Sequence, residues 1–414
     1  MPHPPLGLFQ GYGVELEYMI VDSTTQAVRP IADQLLKVDG TYETEVEHGP
    51  LAWSNELVLH VIELKTNGPA QRLSGLASVF QEHVREVGRT LAPLGARLMP
   101  TAMHPTMDPY KETVLWPHGF NDVYAGFNRI FDCSGHGWAN LQSAHLNLPF
   151  TDDEEFARLH SAIRLVLPLV PALAASSPLA DGQVKSWLDT RMETYRLNAV
   201  RIPSVTGLVV PEPVTSQTAY QTRILDPIYA DLAPFDPGGV LRFEWANARG
   251  AIARFDRNTI EIRVIDAQEC PLADLAVTAA IVAVVKQLTL SETPSLAAQL
   301  QLGTEALAAV LLETIRHADQ AVIEDRDYLA VLGVDTGEPR RAADVWRDLI
   351  ERHGSGPDDL SEWTSALETI LNEGCLARRI LRRLGDDTST DHIQTVYAEL
   401  CDCLAQGEMF HAGA

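Results

Sequence analysis

Short apolar or alternating runs fill the first two thirds of the chain, and runs with helical spacing fill the last third. Side chains alternate between two faces along a strand, whereas along a helix they return to the same face every 3.6 residues. The strand-like runs are 11–22, 56–66, 94–103, 139–149, 205–211 and 240–266. The helix-like segments are 71–92, 151–175, a long helix beginning at Pro271, 293–302, 304–329, 340–353, 359–384 and 389–405. Strands that precede a helical block predict an α+β fold with a mainly antiparallel sheet.

This change of character predicts two regions. We expect residues 1–290 to form the sheet domain that carries the chemistry, and residues 291–414 to form a helical region packed on it. The composition leaves one alternative open, in which residues 1–270 and the helix from Pro271 form one compact unit.

Two apolar segments are predicted to be core helices. Residues 151–175 open with Thr-Asp-Asp-Glu-Glu, a pattern typical of a helix N-terminus, and Pro168 and Pro171 predict a kink further along. The most apolar window, Leu275 to Val285, is followed by Lys286 and has the length of a buried helix rather than of a membrane span.

The charge balance narrows the range of partners. The chain has 56 Asp and Glu against 32 Lys and Arg, a net charge of −24. An acidic surface repels phosphate backbones and anionic lipid, so we expect neither nucleic-acid nor membrane binding. Five cysteines without a paired framework are typical of a protein in the reducing cytoplasm.

Four predicted strands each carry two polar residues at a spacing of two, separated by apolar residues. The pairs are Glu15 with Glu17, Glu63 with Lys65, His145 with Asn147, and Glu261 with Arg263. This spacing places both members of a pair on the same face of their strand. If the four strands are neighbours in one sheet, the pairs converge on one pocket.

The chemistry of these residues indicates a cation site. Neighbouring carboxylates repel each other unless a cation lies between them, and Mg²⁺ prefers oxygen ligands. His145 can ligate a metal, and Asn147 can bind a phosphate or a metal-bound water. Each pair also has an ordinary explanation: a solvated strand face, a surface ion pair or a hydrogen-bonded core histidine. Glu56 lies seven residues before Glu63, so the two reach one site only across a bulge or bend.

Positive charge near the last pair indicates a phosphoryl group. Arg263 can bind a phosphoryl group through two parallel hydrogen bonds, and Arg254 adds charge upstream. Neither a G-x-x-x-x-G-K-[ST] loop nor a G-x-G-x-x-G motif occurs, so a nucleotide would be held by arginine and metal instead. A pocket of this composition suits a triphosphate with two or three Mg²⁺ ions, or Mn²⁺ in their place.

The order of these motifs resembles the glutamate–cysteine ligase family, and most closely the bacterial carboxylate–amine ligases grouped with its second type. The resemblance rests on G-V-E-L-E at 13–17, E-L-V-L-H-V-I-E-L at 56–64, H-L-N at 145–147 and T-I-E-I-R-V-I-D at 259–266. It implies a glutamine-synthetase-like catalytic fold, in which a curved antiparallel sheet carries helices outside. It also implies an ATP-dependent ligase that forms an amide through an acyl phosphate.

The resemblance further assigns roles to individual residues. Metal ligands would be Glu15, Glu17, Glu56, Glu63, His145 and Glu261. Arg263 and Glu261 would be catalytic, with Arg263 on the transferring phosphate. From their own charge and hydrogen-bonding capacity, rather than from the resemblance, we expect Arg254 and Asn147 beside the nucleotide. Arg196 would bind a substrate carboxylate. Lys65 stands where many relatives carry a small residue, which predicts an altered substrate pocket.

The sequence leaves other functions open. The same pocket could serve a phosphotransferase acting on guanidino groups, a non-catalytic metal- or nucleotide-binding protein, or a metal-dependent amide hydrolase. The expected partners are a small-molecule amino acid and an amine, and a homo-oligomer is left open.

Overall fold

The computed structural model describes residues 5–119, 121–354 and 360–413, and its centre is one antiparallel sheet. The strands are β1 Gly13–Asp22, β2 Lys37–Val38, β3 Thr41–Tyr42, β4 Glu45–His48, β5 Leu51–Asn55, β6 Val61–Thr66, β7 Ala96–Met99, β8 Ser143–Pro149, β9 Leu179–Ala180, β10 Gln183–Val184, β11 Ala251–Arg254, β12 Thr259–Asp266, β13 Val322–Ile323 and β14 Arg340–Arg341. Eight of them form the sheet in the order β11-β12-β8-β1-β6-β5-β4, with β7 paired to β1. In this part of the chain β11 and β4 end the sheet without pairing to each other, so the sheet is open.

Helices cover the sheet and make up most of the C-terminal region. They are α1 Leu76–Leu91, α2 Pro109–Glu112, α3 Asn121–Phe131, α4 His136–Ala139, α5 Asp153–Val166, α6 Val170–Ala174, α7 Thr190–Tyr195, α8 Gln217–Tyr220, α9 Asp226–Leu232, α10 Pro271–Leu290, α11 Leu296–Gln301, α12 Thr304–His317, α13 Arg326–Val331, α14 Ala342–His353, α15 Thr364–Glu373, α16 Leu376–Leu384 and α17 Thr390–Gln406. The predicted combination of a mainly antiparallel sheet with helices outside it is confirmed.

The two faces of the sheet have different roles. Val14, Leu16 and Tyr18 of β1 are buried on the core face, where they join one apolar cluster with residues of α1, α5 and α10. The Tyr18 hydroxyl donates to Asp274 of α10 over 3.1 Å, which fixes the direction of that face. Because side chains alternate, Glu15 and Glu17 point to the opposite face.

The predicted kinked helix over 151–175 is confirmed. Asp152 caps α5 by accepting a hydrogen bond from the Glu155 backbone N–H over 2.9 Å. The helix then tightens into a 3₁₀ turn at Leu167–Leu169 before α6. Pro168 lies in that turn, and a proline ring both removes an N–H donor and clashes with the preceding turn.

Helix α10 is longer than its most apolar window suggested. Among the described residues, two helical stretches are long and apolar enough to cross a membrane, Asp153–Ala174 and Pro271–Leu290. The prediction that the segment from Pro271 is too short to span one was therefore wrong. Within the fold, 94% and 83% of their most apolar windows are buried. Helix α10 packs against α1, α5, α14 and α15, as a core helix does.

One strand prediction was wrong, and two others were right for only part of their length. Residues 205–211 do not form a strand, because Gly207 and Val209 have left-handed backbones with φ of 56° and 69°. The run 56–66 contains a turn followed by β6. Within 240–266, the chain forms a 3₁₀ turn at Glu244–Ala246 and then the two strands β11 and β12.

Two long helix predictions were also wrong in extent. The segment 304–329 divides into α12 and α13, and Ala318 between them has φ of 48°. The segment 359–384 divides into α15 and α16 at Gly374, where φ is 90°, and residue 359 lies outside the described residues. The C-terminal helices pack on the sheet region through α10 and α17. The boundary between 1–290 and 291–414 remains a prediction.

Candidate active site

The strand register brings the four polar pairs onto neighbouring strands. Across β1 and β6, Glu17 lies opposite Glu63 and Glu15 lies opposite Lys65. On the other side of β1, Glu15 lies opposite His145 of β8. The structure therefore has these pairs on one face of the sheet, as predicted.

The last pair joins the same face through β12. Glu261 lies opposite Asn147 of β8, and the register then shifts between Ile262 and Ile265. This irregularity places Arg263 in a β-bulge beside His145, and bulges turn side chains away from regular alternation. The Arg263 Nε atom lies 2.9 Å from Oε1 of Glu261.

Glu56 reaches the face from outside the strands. It follows β5 in the turn that leads to β6, so the bend that its odd spacing requires is present. Its carboxylate shares a cluster with Glu17 and Glu63 in which the potential ligand atoms all lie within 4.8 Å of one another.

Two sets of potential cation ligands result. One set is Glu15, Glu63 and His145, and the other is Glu17, Glu56 and Glu63, each with its ligand atoms within 4.8 Å. Glu63 belongs to both sets. Oxygen atoms dominate both sets, which suits Mg²⁺ or Mn²⁺ better than zinc, for which nitrogen and sulfur ligands are typical.

Hydrogen bonds hold His145 between the acids. Its Nδ1 atom lies 3.0 Å from Oε2 of Glu15, and its Nε2 atom lies 2.9 Å from the Ser143 hydroxyl. The Ser143 backbone N–H donates to Glu17 over 2.8 Å. Burial lowers the pKa of His145, which favours the neutral imidazole that a metal ligand must be.

The protein leaves the negative charge of this face only partly balanced. Burial, and then repulsion from Glu15, raises the pKa of Glu63 to about 7. Burial and neighbouring carboxylates also raise the pKa of Glu56 well above its ordinary value, and they raise the pKa of Glu15. A buried acid with a raised pKa is costly to ionise, and a cation bound beside it would offset that cost. These residues therefore fit divalent ions.

Glu261 differs from the other acids because cations of the protein surround it. Burial opposes its ionisation, but Arg263, His145 and Arg254 together hold its pKa below the ordinary value. The Arg254 Nη1 atom lies 3.6 Å from its Oε2 atom. A carboxylate in this state stays ionised and fixes the orientation of two guanidinium groups.

Two cavities flank the acidic face. One, of about 670 Å³, is lined by Glu15, Lys65, Asn147 and Arg257 among others. The second, of about 200 Å³, is lined by Glu17, Glu56, Arg191 and Arg263 and by aromatic side chains. The larger cavity is lined by Glu15 of the first set, and the smaller one by His145 of that set and by Glu17 and Glu56 of the second.

Arg196 is not brought to either cavity. Its Nη2 atom donates a hydrogen bond to Glu193 over 2.8 Å. Glu193 lies on α7, and Arg196 is the residue that follows this helix. The role predicted for Arg196 therefore has no supporting contact. Lys65 does reach the face, where its Nζ atom lies 2.7 Å from Glu45 and 3.3 Å from Glu63.

Arg191 is the functional candidate that sequence reasoning missed. It is 2% exposed and lines the smaller cavity, and its Nη2 atom donates to the Arg263 carbonyl over 2.8 Å. Its Nη1 atom donates to Asp266 over 3.2 Å. The available signal was the tripeptide Asp189-Thr-Arg191, in which Asp189 caps α7 and so fixes the position of Arg191.

Sequence comparison decides the family. A sequence model described as "Glutamate-cysteine ligase family 2 (GCS2)" matches residues 12–399. The chain belongs to glutamate–cysteine ligase family 2. This confirms the resemblance found from the motifs, and membership of this family indicates a ligase-type enzyme.

Two individual relatives match most of the chain. A protein of unassigned function from Archaeoglobus fulgidus is 32% identical over 96% of this chain and 99% of its own length. A Salinispora tropica protein provisionally named glutamate–cysteine ligase 2 is 28% identical over 91% of each chain.

Two solved structures share the fold. A bifunctional glutathione synthetase from Pasteurella multocida has a TM-score of 0.61 and 14% identity, and the match covers 96% of this chain and 53% of that one. A glutamate–cysteine ligase from Francisella tularensis in complex with AMP has a TM-score of 0.55 and 12% identity, over 95% and 92% of the two chains. At these identities the likeness concerns the fold alone.

Proposed function

We propose that this protein is an ATP-dependent carboxylate–amine ligase that forms an amide through an acyl phosphate. The observation that carries the proposal is one acidic face with two overlapping sets of cation ligands and a cavity at each side, the larger lined by Glu15 and the smaller by Glu17 and Glu56. A ligase of this kind needs a nucleotide on one side of the transferring phosphoryl group and the organic substrates on the other.

The larger cavity suits the nucleotide. Its volume of about 670 Å³ exceeds that of the smaller cavity, and Lys65, Arg257 and Asn147 offer donors to phosphate oxygens. The phosphoryl group would then lie over the acidic face, within reach of Arg263. The AMP complex of the Francisella tularensis ligase supports a nucleotide on this fold.

The proposed reaction has two steps. A carboxylate oxygen of the acid attacks the γ-phosphorus of ATP, the P–O bond to ADP breaks, and an acyl phosphate forms. The amine nitrogen then attacks the acyl carbon, a C–N bond forms, the C–O bond to phosphate breaks, and the amine proton leaves to phosphate or solvent. Exclusion of water by the cavity protects the acyl phosphate from hydrolysis.

The side chains have separate tasks in this scheme. Glu15, Glu17, Glu56, Glu63 and His145 would hold two or three Mg²⁺ or Mn²⁺ ions, which supply charge neutralisation when bound. Glu261 holds Arg263 in place over 2.9 Å, and Arg263 stabilises the charge of the transferring phosphoryl group.

Release of ADP and free phosphate tests the proposal. We expect the wild-type protein with Mg²⁺ and ATP to release both in a screen of amino acids and amines, and only when a suitable acid and amine are present. Arg263→Ala and Glu261→Ala should lower turnover by about 10³-fold or more, because one positioned arginine contributes that much to phosphoryl transfer. Arg383→Ala, which removes a surface pair with Glu399, is the matched control and should keep full turnover.

Other outcomes would favour other functions. ADP without free phosphate would indicate a phosphotransferase, and amide cleavage without ATP would indicate a hydrolase. Binding of nucleotide and metal without turnover for any acid and amine would indicate a binding protein. Wild-type turnover in Arg263→Ala would contradict the proposed role of the acidic face.

We also propose that the enzyme works in the cytoplasm. The five cysteines are all free, and four of them are buried, which suits a reducing compartment.

A further inference from the structure

Aromatic side chains form one wall of the smaller cavity. Tyr124, Phe127, Trp138, Tyr195 and Trp245 line the part of it away from the strands. The ring centroid of Phe127 lies 5.5 Å from that of Trp138 and 5.7 Å from that of Trp245. Aromatic rings at these separations form a packed surface that takes up another flat group.

The opposite end of the same cavity is charged. Glu17 and Glu56 lie there beside Arg191 and Arg263. In the proposed function these two carboxylates hold divalent ions, and the acid that the amine joins would have its carboxylate held toward the arginines. The cavity therefore separates an ionic end from an aromatic end.

The position of the cavity decides which substrate contacts the aromatic wall. In the proposed function the nucleotide fills the larger cavity, on the side of the acidic face that Glu15 lines, so the phosphate side of the acyl group is occupied. The amine must reach the acyl carbon from the other side, through the aromatic cavity.

We propose that the amine substrate carries an aromatic or other flat apolar group, which packs against the aromatic wall formed by Phe127, Trp138 and Trp245. This inference rests on the proposed ligase function and names the class of its amine. A small amine such as ethylamine would leave the aromatic wall uncovered.

Binding of two matched amines tests the inference without turnover. The full-length protein with Mg²⁺ and a non-hydrolysable ATP analogue is titrated by calorimetry with 2-phenylethylamine and with ethylamine, which share the amine and differ in the ring. We expect the ring-bearing amine to bind at least about tenfold more tightly, since stacking on several rings is worth about this factor.

Variants locate the binding. Trp245→Leu should reduce the preference to about twofold or less, and Trp245→Phe, which keeps a ring, should restore most of it. Phe235→Leu changes an aromatic residue that is 39% exposed and does not line the cavity, so it should keep the wild-type preference. Circular dichroism checks that each variant is folded.

Equal affinity of the two amines for the wild-type protein, or binding of neither, would overturn the inference. An undiminished preference in folded Trp245→Leu would overturn it as well. The ligase proposal is judged separately: if no acid and amine pair releases ADP while 2-phenylethylamine still binds in a Trp245-dependent way, the ligase function fails and the aromatic site remains.

Discussion

Glu63 interacts with several of the other residues at the acidic face. It lies opposite Glu17 in the sheet, accepts a hydrogen bond from the Ser54 hydroxyl, and lies 3.3 Å from the Lys65 ammonium. Its carboxylate is shared by both sets of cation ligands. The charge on this one side chain should therefore couple metal binding to pH.

The coupling gives a prediction for the metal-free protein. The pKa of Glu63 is raised from 4.5 to about 7 by burial, so the folded state without metal binds a proton more tightly than the unfolded state does. Such a group stabilises the fold below pH about 4.5 and loses this contribution as the pH rises through about 7. With EDTA, Tm should fall as the pH rises from about 5 to about 8, and Mg²⁺ should remove most of that fall.

The variant Glu63→Gln provides the control for this measurement. It cannot ionise, so the difference between the EDTA and Mg²⁺ curves should shrink in it. If Tm of the wild-type protein has the same pH dependence with and without Mg²⁺, the acidic face does not bind the ion.

Residue types and spacing predicted much of the site. Alternation placed Glu15, Glu17, His145 and Asn147 on one face, because the period of a strand is two. Arg191 could not be predicted from spacing. It lies on a six-residue helix, and a buried ion pair with Asp266 far along the chain brings it to the cavity.

At the scale of elements, the closeness of β1 and β8 determines the site. Gly13 lies opposite Asn147, and a Cβ atom at Gly13 would lie 2.9 Å from the Asn147 Cβ atom. The Asn147 side chain donates to Glu15 over 3.0 Å. A glycine at this point allows the two strands to bring their polar side chains together.

Gly13→Ala should therefore disturb both the sheet and the site. We expect a loss of about 1–3 kcal/mol in the free energy of unfolding, as is typical of overpacking, and a clear fall in ADP release. Gly88→Ala is the matched control, because Gly88 lies in α1 with no atom within 4 Å of the new Cβ, and alanine favours a helix. Urea unfolding and the ADP assay measure both; wild-type values in Gly13→Ala would contradict the close approach.

The sequence predicts which helices and strands form more readily than it predicts how the strands pair. The amphipathic helix α1, the uniformly apolar helix α10 and the alternating strands β1 and β12 follow from their own sequences. The short strands β4 and β5 were not predicted, because β5 is buried at four of its five residues and shows no alternation. The bulge at Arg263 was also unpredictable, since it depends on the partner strand.

At the scale of the whole molecule, the C-terminal helices are tied to the sheet region by a buried ion pair. Arg379 of α16 pairs with Glu269, which lies between β12 and α10, and both side chains are fully buried. Arg379 also donates to the carbonyl of Phe410 near the end of the chain. These contacts join the proposed 291–414 region to the proposed 1–290 region.

Arg379→Met should destabilise the protein by roughly 3–5 kcal/mol, because it leaves the Glu269 carboxylate buried without its partner. The double variant Arg379→Met with Glu269→Leu removes both charges and should recover much of the loss. Chemical unfolding followed by fluorescence measures the change. Equal stability of Arg379→Met and the wild-type protein would contradict the role of this pair in joining the two regions.

A crystal structure with Mn²⁺ and a non-hydrolysable ATP analogue, read by anomalous scattering, tests most directly whether the acidic face binds metal and nucleotide together. We expect manganese peaks at both sets of ligands, one beside Glu15, Glu63 and His145 and one beside Glu17, Glu56 and Glu63, with the triphosphate between them and Arg263. Absence of manganese from the acidic face while the nucleotide is bound elsewhere would contradict this expectation.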